Sequence, residues 1–135
     1  MISRIWHGTT RAGDADAYEA LLHDEVITGI EGRAIAGFRE IQVFRRDVGD
    51  VVEFVTVMWF DSWDAVRTFA GDDPEASVVP PAARALLARF DDRSQHYEVR
   101  ERRIVRRPPT LLPQAAASRG ANRWPRQRPS QARAR

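Results

Sequence analysis

The 135-residue chain contains no cysteine, which excludes disulfides, thiolate metal sites, iron–sulfur clusters and a cysteine nucleophile together. It contains no lysine either, so every basic residue other than histidine is arginine. Histidine is scarce: His7, His23 and His96 are widely separated and spell neither HExxH nor a two-histidine, one-carboxylate cluster, so no metal site is expected. A GxSxG elbow, a P-loop and a GxGxxG loop are all missing, which leaves a serine hydrolase and a nucleotide-binding enzyme without support. No segment approaches the roughly 18 apolar residues of a membrane span, and the first twenty residues lack the apolar stretch of a secretory signal. A soluble, cytoplasmic protein with no membrane contact is the expectation.

Acid is missing from one end. All 19 acidic residues lie at or before Glu101, with 13 of the 21 basic ones, so residues 1–103 carry a net charge of −6. Residues 104–135 carry eight arginines and no acid, and hold five of the eight prolines. A segment so poor in large apolar residues cannot bury enough surface to fold alone. The expected organisation is one folded domain over 1–103 and a disordered Arg/Pro-rich basic tail over 104–135, able to meet nucleic acid or an acidic surface weakly through counterion release.

Periodicity orders the domain. Residues 2–10, ISRIWHGTT, are β-branched and aromatic and read as a strand. Tyr18, Leu21, Leu22, Val26 and Ile30 then fall on one stripe at helical spacing, behind Asp14 or Asp16 as N-cap. Residues 37–47 and 51–60 read as two strands of a hairpin around a short Gly-containing loop. Asp61 or Ser62 caps a helix in which Trp63, Val66, Phe69 and Ala70 share a face and which Gly71 ends. A short helix opens on Pro80 and Pro81, and residues 94–102 alternate as a last strand. This β-α-β-β-α-(α)-β order predicts an α+β, ferredoxin-like fold, a four-stranded antiparallel sheet with helices on one face.

The third strand poses a question. Val55, Val57 and Trp59 alternate with Phe54, Met58 and Phe60, so both its faces are apolar while the helices cover only one. An exposed apolar sheet face of that size implies a partner. A second copy of the chain answers it, giving a two-fold homodimer with a closed, barrel-like interior.

The residues that carry this argument resemble a known family. MISRIWHGTT, the strand-to-helix junction VTVMWFDSWDAVRTFAGDD and the closing HYEV are similar to the antibiotic biosynthesis monooxygenases of the dimeric α/β barrel superfamily, with Trp59, Asp61, Ser62 and Ala65 as the matching pattern. The resemblance covers residues 1 to about 101. It implies a hydrophobic pocket between sheet and helices for an aromatic or polyketide-like small molecule, and oxidation by O2 in which the deprotonated substrate itself reduces oxygen without a bound metal, the need for haem or flavin being left open. The superfamily's haem-degrading branch places an iron-ligating histidine after a helix Trp. Here that Trp position falls near Phe69, and AGDDPEASVVPP follows it with no histidine, which disfavours haem.

Within that frame His7 is the candidate general base, on the assumption that Ser3, Ile5 and His7 face the helices. His96 or Tyr97 would complete the catalytic set as a proton or hydrogen-bond donor. Trp59, Trp63, Phe69 and Phe54 would form an aromatic cage and Arg45 would bind a substrate oxygen. Each has an ordinary structural role as its alternative. Two other readings stand beside the enzyme: a non-catalytic small-ligand-binding or structural dimer, and an RNA-recognition module. Gly37, Phe38 and Phe44 echo the latter's strand motif, but the domain's net negative charge weighs against nucleic acid on the sheet.

Overall fold

Alternation in the first strand and its partner builds the centre of the sheet. The computed structural model describes residues 1–106, of which 1–102 form one compact unit; the expected tail lies outside the described residues from 107 onward. Strand β1 (Ile2–Arg11) pairs antiparallel with β3 (Val51–Phe60) along its whole length, from Ile2 opposite Phe60 to Arg11 opposite Val51. Strand β2 (Phe38–Val48) pairs with the other edge of β3, with a bulge between Phe38 and Glu40. The β2–β3 turn is two residues long, and Gly49 takes the left-handed φ of 65° that such a turn requires.

The free edge of β1 carries two short strands rather than one. β4 (Arg89–Phe90) pairs with Gly8 and Thr9, and β5 (Gln95–Glu98) pairs with Ile2 to Ile5. The expected last strand over 94–102 is therefore shorter, and the sheet has five antiparallel strands where four were expected. Asp91 donates its amide to the His7 carbonyl in the gap between the two, and Ser94 donates to the Glu75 carbonyl, so the chain leaves the sheet edge and returns to it. The sheet is open, with β2 at one edge.

The helices among the described residues lie on one face. After β1, helix α1 (Ala15–Leu21) runs into a π-turn over Leu22–Val26 and continues as α2 (Ile27–Gly32). The wider turn shifts the apolar stripe by a fraction of a turn, so Tyr18 and Leu22 are buried while Leu21, Val26 and Ile30 are half-buried. Helix α3 (Trp63–Ala70) is capped by Ser62, whose Oγ accepts from the Ala65 amide at 3.2 Å, and ends at Gly71 with φ 93°. Helix α4 (Pro81–Leu86) carries proline in its first turn. Two apolar clusters result. Ile2, Met58 and Phe60 of the sheet meet Val66 and Phe69 of α3, and Val52 and Phe54 meet Ala15, Tyr18, Leu22 and Ala83. Between the clusters the packing is incomplete.

Candidate functional site

The gap between the two clusters is a cavity walled by the sheet on one side and helices on the other. Arg4 and Trp6 of β1, Ile41 and Val43 of β2, and Thr56 and Met58 of β3 form its floor. Tyr18, Leu22, Val26, Ile27 and Ile30 form the roof, with Phe69 at one end and the segment Val78, Val79, Pro80 and Ala83 at the other; Ser94 closes the edge. The space in which the centre of a water fits is about 60 Å3, room for about four to six waters. Such a volume suits a single ring with a short substituent. A haem macrocycle or an isoalloxazine ring does not fit it, and no histidine lines it. Among the described residues no group of three His, Asp or Glu side chains is placed to hold a metal.

Trp6 owes its position to Gly8. A Cβ on Gly8 would stand 2.6 Å from the Trp6 ring and 3.1 Å from Leu87, so only glycine lets the indole lie back along its own strand. The indole N–H is shared between the Ser77 hydroxyl and the Asp91 carbonyl, both at 3.1 Å. These bonds tie the floor of the cavity to the segment that flanks it.

Arg4 is the cavity's charge. It is 3 % exposed, donates from Nη1 to the Pro74 carbonyl and to His96 Nε2 at 3.0 Å, and from Nη2 to the Ala76 carbonyl at 3.0 Å. Its guanidinium carbon stands 5.2 Å from the centre of the Phe69 ring. Burial pulls its pKa down to about 10, with Glu75 acting in the opposite sense, so it stays charged at neutral pH. Because arginine can only donate, His96 accepts through Nε2 and carries its proton on Nδ1; that atom is buried without a partner. Burial, then the Arg4 charge, lowers the His96 pKa, and Glu75 partly opposes them, which keeps the imidazole neutral. Tyr18 is 2 % exposed, and burial raises its phenol to about 12. Ser94 is buried with its Oγ unpartnered.

The structure reverses the assumed parity of β1. Arg4 and Trp6 face the helices, whereas His7 stands opposite Val55 on the open face. There His7 Nδ1 lies 3.0 Å from Asp91 Oδ2, which also accepts the His7 amide at 3.1 Å. His7 is thus separated from the cavity by the sheet itself, and so is Tyr97, which pairs with Ser3 and is 57 % exposed. His96, its neighbour, lies on the covered face against Arg4 and stacks on Trp63 at 5.1 Å. Trp59 is on the open face, donating to Gln42 at 3.2 Å. Phe54 is wholly buried against Tyr18 and does not line the cavity. Arg45 is ion-paired with Asp16 and Glu19 at the surface. Of the eight residues expected at the site, Phe69 lines the cavity and His96 supports it from behind Arg4.

Sequence reasoning missed Arg4, Trp6 and Ser94. The signal available was the run Arg4-Ile5-Trp6-His7-Gly8: a large ring followed two residues later by glycine on the same face marks the side on which something must pack closely.

Comparison with solved structures places this architecture. A candidate antibiotic biosynthesis monooxygenase from Bacillus cereus superposes with a TM-score of 0.56 at 15% identity, over 77% of this chain and 97% of the other. A second candidate of that name, from Deinococcus radiodurans, gives 0.53 at 17% identity over 78% and 99%. The chain has the antibiotic biosynthesis monooxygenase fold. A Streptomyces coelicolor monooxygenase from the gene ActVA-Orf6, solved with the ligand nanaomycin D, gives 0.50 at 15% identity over 78% and 92%. No family model and no curated protein matches the sequence. The likeness extends to the fold, and among the described residues no helix is long and apolar enough to cross a membrane.

Proposed function

We propose that the chain is an oxygenase of the antibiotic biosynthesis monooxygenase kind, oxidising a small aromatic molecule with O2 in the cavity between sheet and helices. The observation that carries the reading is the cavity itself: apolar walls, a buried cation at one end, and walls drawn from every main element of a fold shared with those structures. Arg4 favours the anionic form of a phenolic or enolic substrate, since an opposite charge nearby lowers an acid's pKa. The substrate anion then supplies the electrons. A ring C–H of the hydroquinone becomes C–OH and the ring is left as a quinone, one oxygen atom entering the substrate and the other leaving as water, with all four electrons drawn from the substrate. The protein holds the ring, keeps bulk water out and stabilises negative charge as it develops on oxygen. Tyr18 is a donor and not a base under these conditions and His96 Nε2 is taken up by Arg4, so ionisation rests on Arg4 and not on a histidine.

The open face of the sheet completes the proposal. Ile5, Val55, Val57 and Trp59 lie there beside Phe44, which is 49 % exposed, and Tyr97. A second copy packed on this face gives the homodimer, with one cavity in each subunit facing away from the seam. The basic tail adds weak, salt-dependent contact with nucleic acid or an acidic surface.

An oxygen electrode tests the activity directly. The purified chain should accelerate O2 uptake by a one-ring hydroquinone, saturably and without added metal or flavin. Binding of these compounds with uptake no faster than in buffer would favour the alternative, a ligand-binding dimer without catalysis.

A further inference from the structure

Arg4 is a buried cation with no counter-ion. No carboxylate among the described residues lies within ion-pair distance of it; its three acceptors are two carbonyl oxygens and a neutral imidazole. Glu75, the acid whose field reaches it, is itself paired with Arg93 at 3.3 Å. Three of the five guanidinium N–H groups are used and two remain. Taking a charge out of water without a partner of opposite sign is among the costliest things a fold can do. Ser94 repeats the pattern: its hydroxyl is 97% removed from solvent with its residue, which is 3 % exposed, and has no hydrogen-bond partner. Both residues line the cavity between sheet and helices, much of whose roof, Leu22, Val26, Ile27 and Ile30, is aliphatic.

We infer that Arg4 and Ser94 form a binding site for the anionic oxygen of a small organic ligand, a carboxylate or phenolate on a single ring, whose apolar body fills the rest of the cavity. The inference rests on the cavity being the ligand site, as the proposed function also requires, but it asks for no catalysis. An anion here would supply the missing counter-charge and accept the spare N–H groups and the Ser94 hydroxyl. Bonds between a guanidinium and an anionic oxygen are about twice as strong as neutral ones and gain further from a dry site. The aliphatic walls exclude a bare inorganic ion, and the volume excludes fused rings.

The test is a calorimetric titration of the full chain, without O2, using benzoate, benzamide, inorganic phosphate and 2-anthraquinonecarboxylate. A parallel optical titration with 4-nitrophenol follows its phenolate band near its ordinary pKa. Benzoate should bind at least about tenfold more tightly than benzamide, phosphate and the fused-ring acid should bind far more weakly than benzoate, and the chain should increase the phenolate fraction of 4-nitrophenol. Arg4→Met and Ser94→Ala should each weaken benzoate while leaving benzamide nearly unchanged, Arg4→Met the more. Equal binding of acid and amide, benzoate binding untouched by either substitution, phosphate as tight as benzoate, or no binding of either anion would each overturn the assignment. Should Arg4→Met not fold, Ser94→Ala and the acid-to-amide ratio still decide. A chain that binds benzoate as described yet consumes no O2 with any one-ring phenol or hydroquinone refutes the oxygenase and keeps this site. One that oxidises a one-ring hydroquinone while binding acid and amide alike does the reverse.

Discussion

Arg4 and Arg46 stand on opposite faces of one sheet and meet opposite fates. Arg46 is on the open face, exposed, and pairs with Glu53 across the β2–β3 ladder at 2.7 Å. Arg4 is on the covered face, buried, and finds carbonyls and an imidazole but no acid. The first arrangement is what a solvated surface does with charge, and it contributes little to stability. The second is unfavourable for folding alone and makes sense where a ligand's charge completes it. The same contrast separates the two histidines: His7 leans on Asp91 in the open, while His96 is held neutral under helix α3 beside Arg4. On the open face charge meets charge, whereas in the cavity Arg4 lacks an acid and the Ser94 hydroxyl lacks a partner.

Substitutions on each face sharpen this contrast. Phe60→Ala has the largest expected effect. Phe60 is fully buried on the covered face between Phe38 and Phe69, with ring centres at 5.4 and 5.8 Å, and its loss should cost about 3–5 kcal/mol in urea unfolding. Phe44→Glu, on the open face, should leave that transition nearly where it was and halve the native mass, since it puts a charge into the proposed dimer seam. An unchanged mass would remove the open face from any self-association.

Tyr18→Phe tests the dryness of the cavity. An unfolded tyrosine ionises from its ordinary 10.0, while the folded one ionises only at about 12. The neutral phenol's contribution is therefore intact below pH 10 and lost as pH rises through 12, by up to about 3 kcal/mol. Arg4, whose pKa burial lowers to about 10, acts in the opposite direction over the same window, so the comparison is the difference between Tyr18→Phe and the parent chain. The variant should lose less stability than the parent between pH 10 and 12. Identical pH profiles would mean that Tyr18 is hydrated. Arg46→Gln is the smallest change, with a cost of at most about 0.5 kcal/mol that fades with added salt.

Much of the fold was legible because periodicity in this chain is clean. Phe54, Met58 and Phe60 alternating with Val55, Val57 and Trp59 announced a strand with two apolar faces, and Asp61 or Ser62 with Gly71 bracketed α3 to within one residue. What period two cannot say is which parity faces the helices. In β1 the choice lay between Arg4 with Trp6 and Ser3 with Ile5 and His7, and ordinary hydropathy favours burying Ile5 over Arg4. The structure overrides that preference, because Arg4 finds three neutral acceptors on the covered face beside the cavity. The split of the last strand into β4 and β5 was hidden for a different reason: Arg89–Phe90 is two residues long and has no pattern to read. Arg4's bonding partners Pro74, Ala76 and His96 are distant in sequence, so the site appears only once the chain between α3 and β5 has wrapped around the sheet edge.

The most direct test sets the two faces against each other in one titration. Benzoate would be titrated into the full chain, into His7→Ala and into Arg4→Met, with the fold of each verified by circular dichroism. The account predicts that His7→Ala binds as the parent does and that Arg4→Met binds at least about tenfold more weakly. Loss of binding in His7→Ala with Arg4→Met unaffected would contradict it, and would move the site to the open face of the sheet.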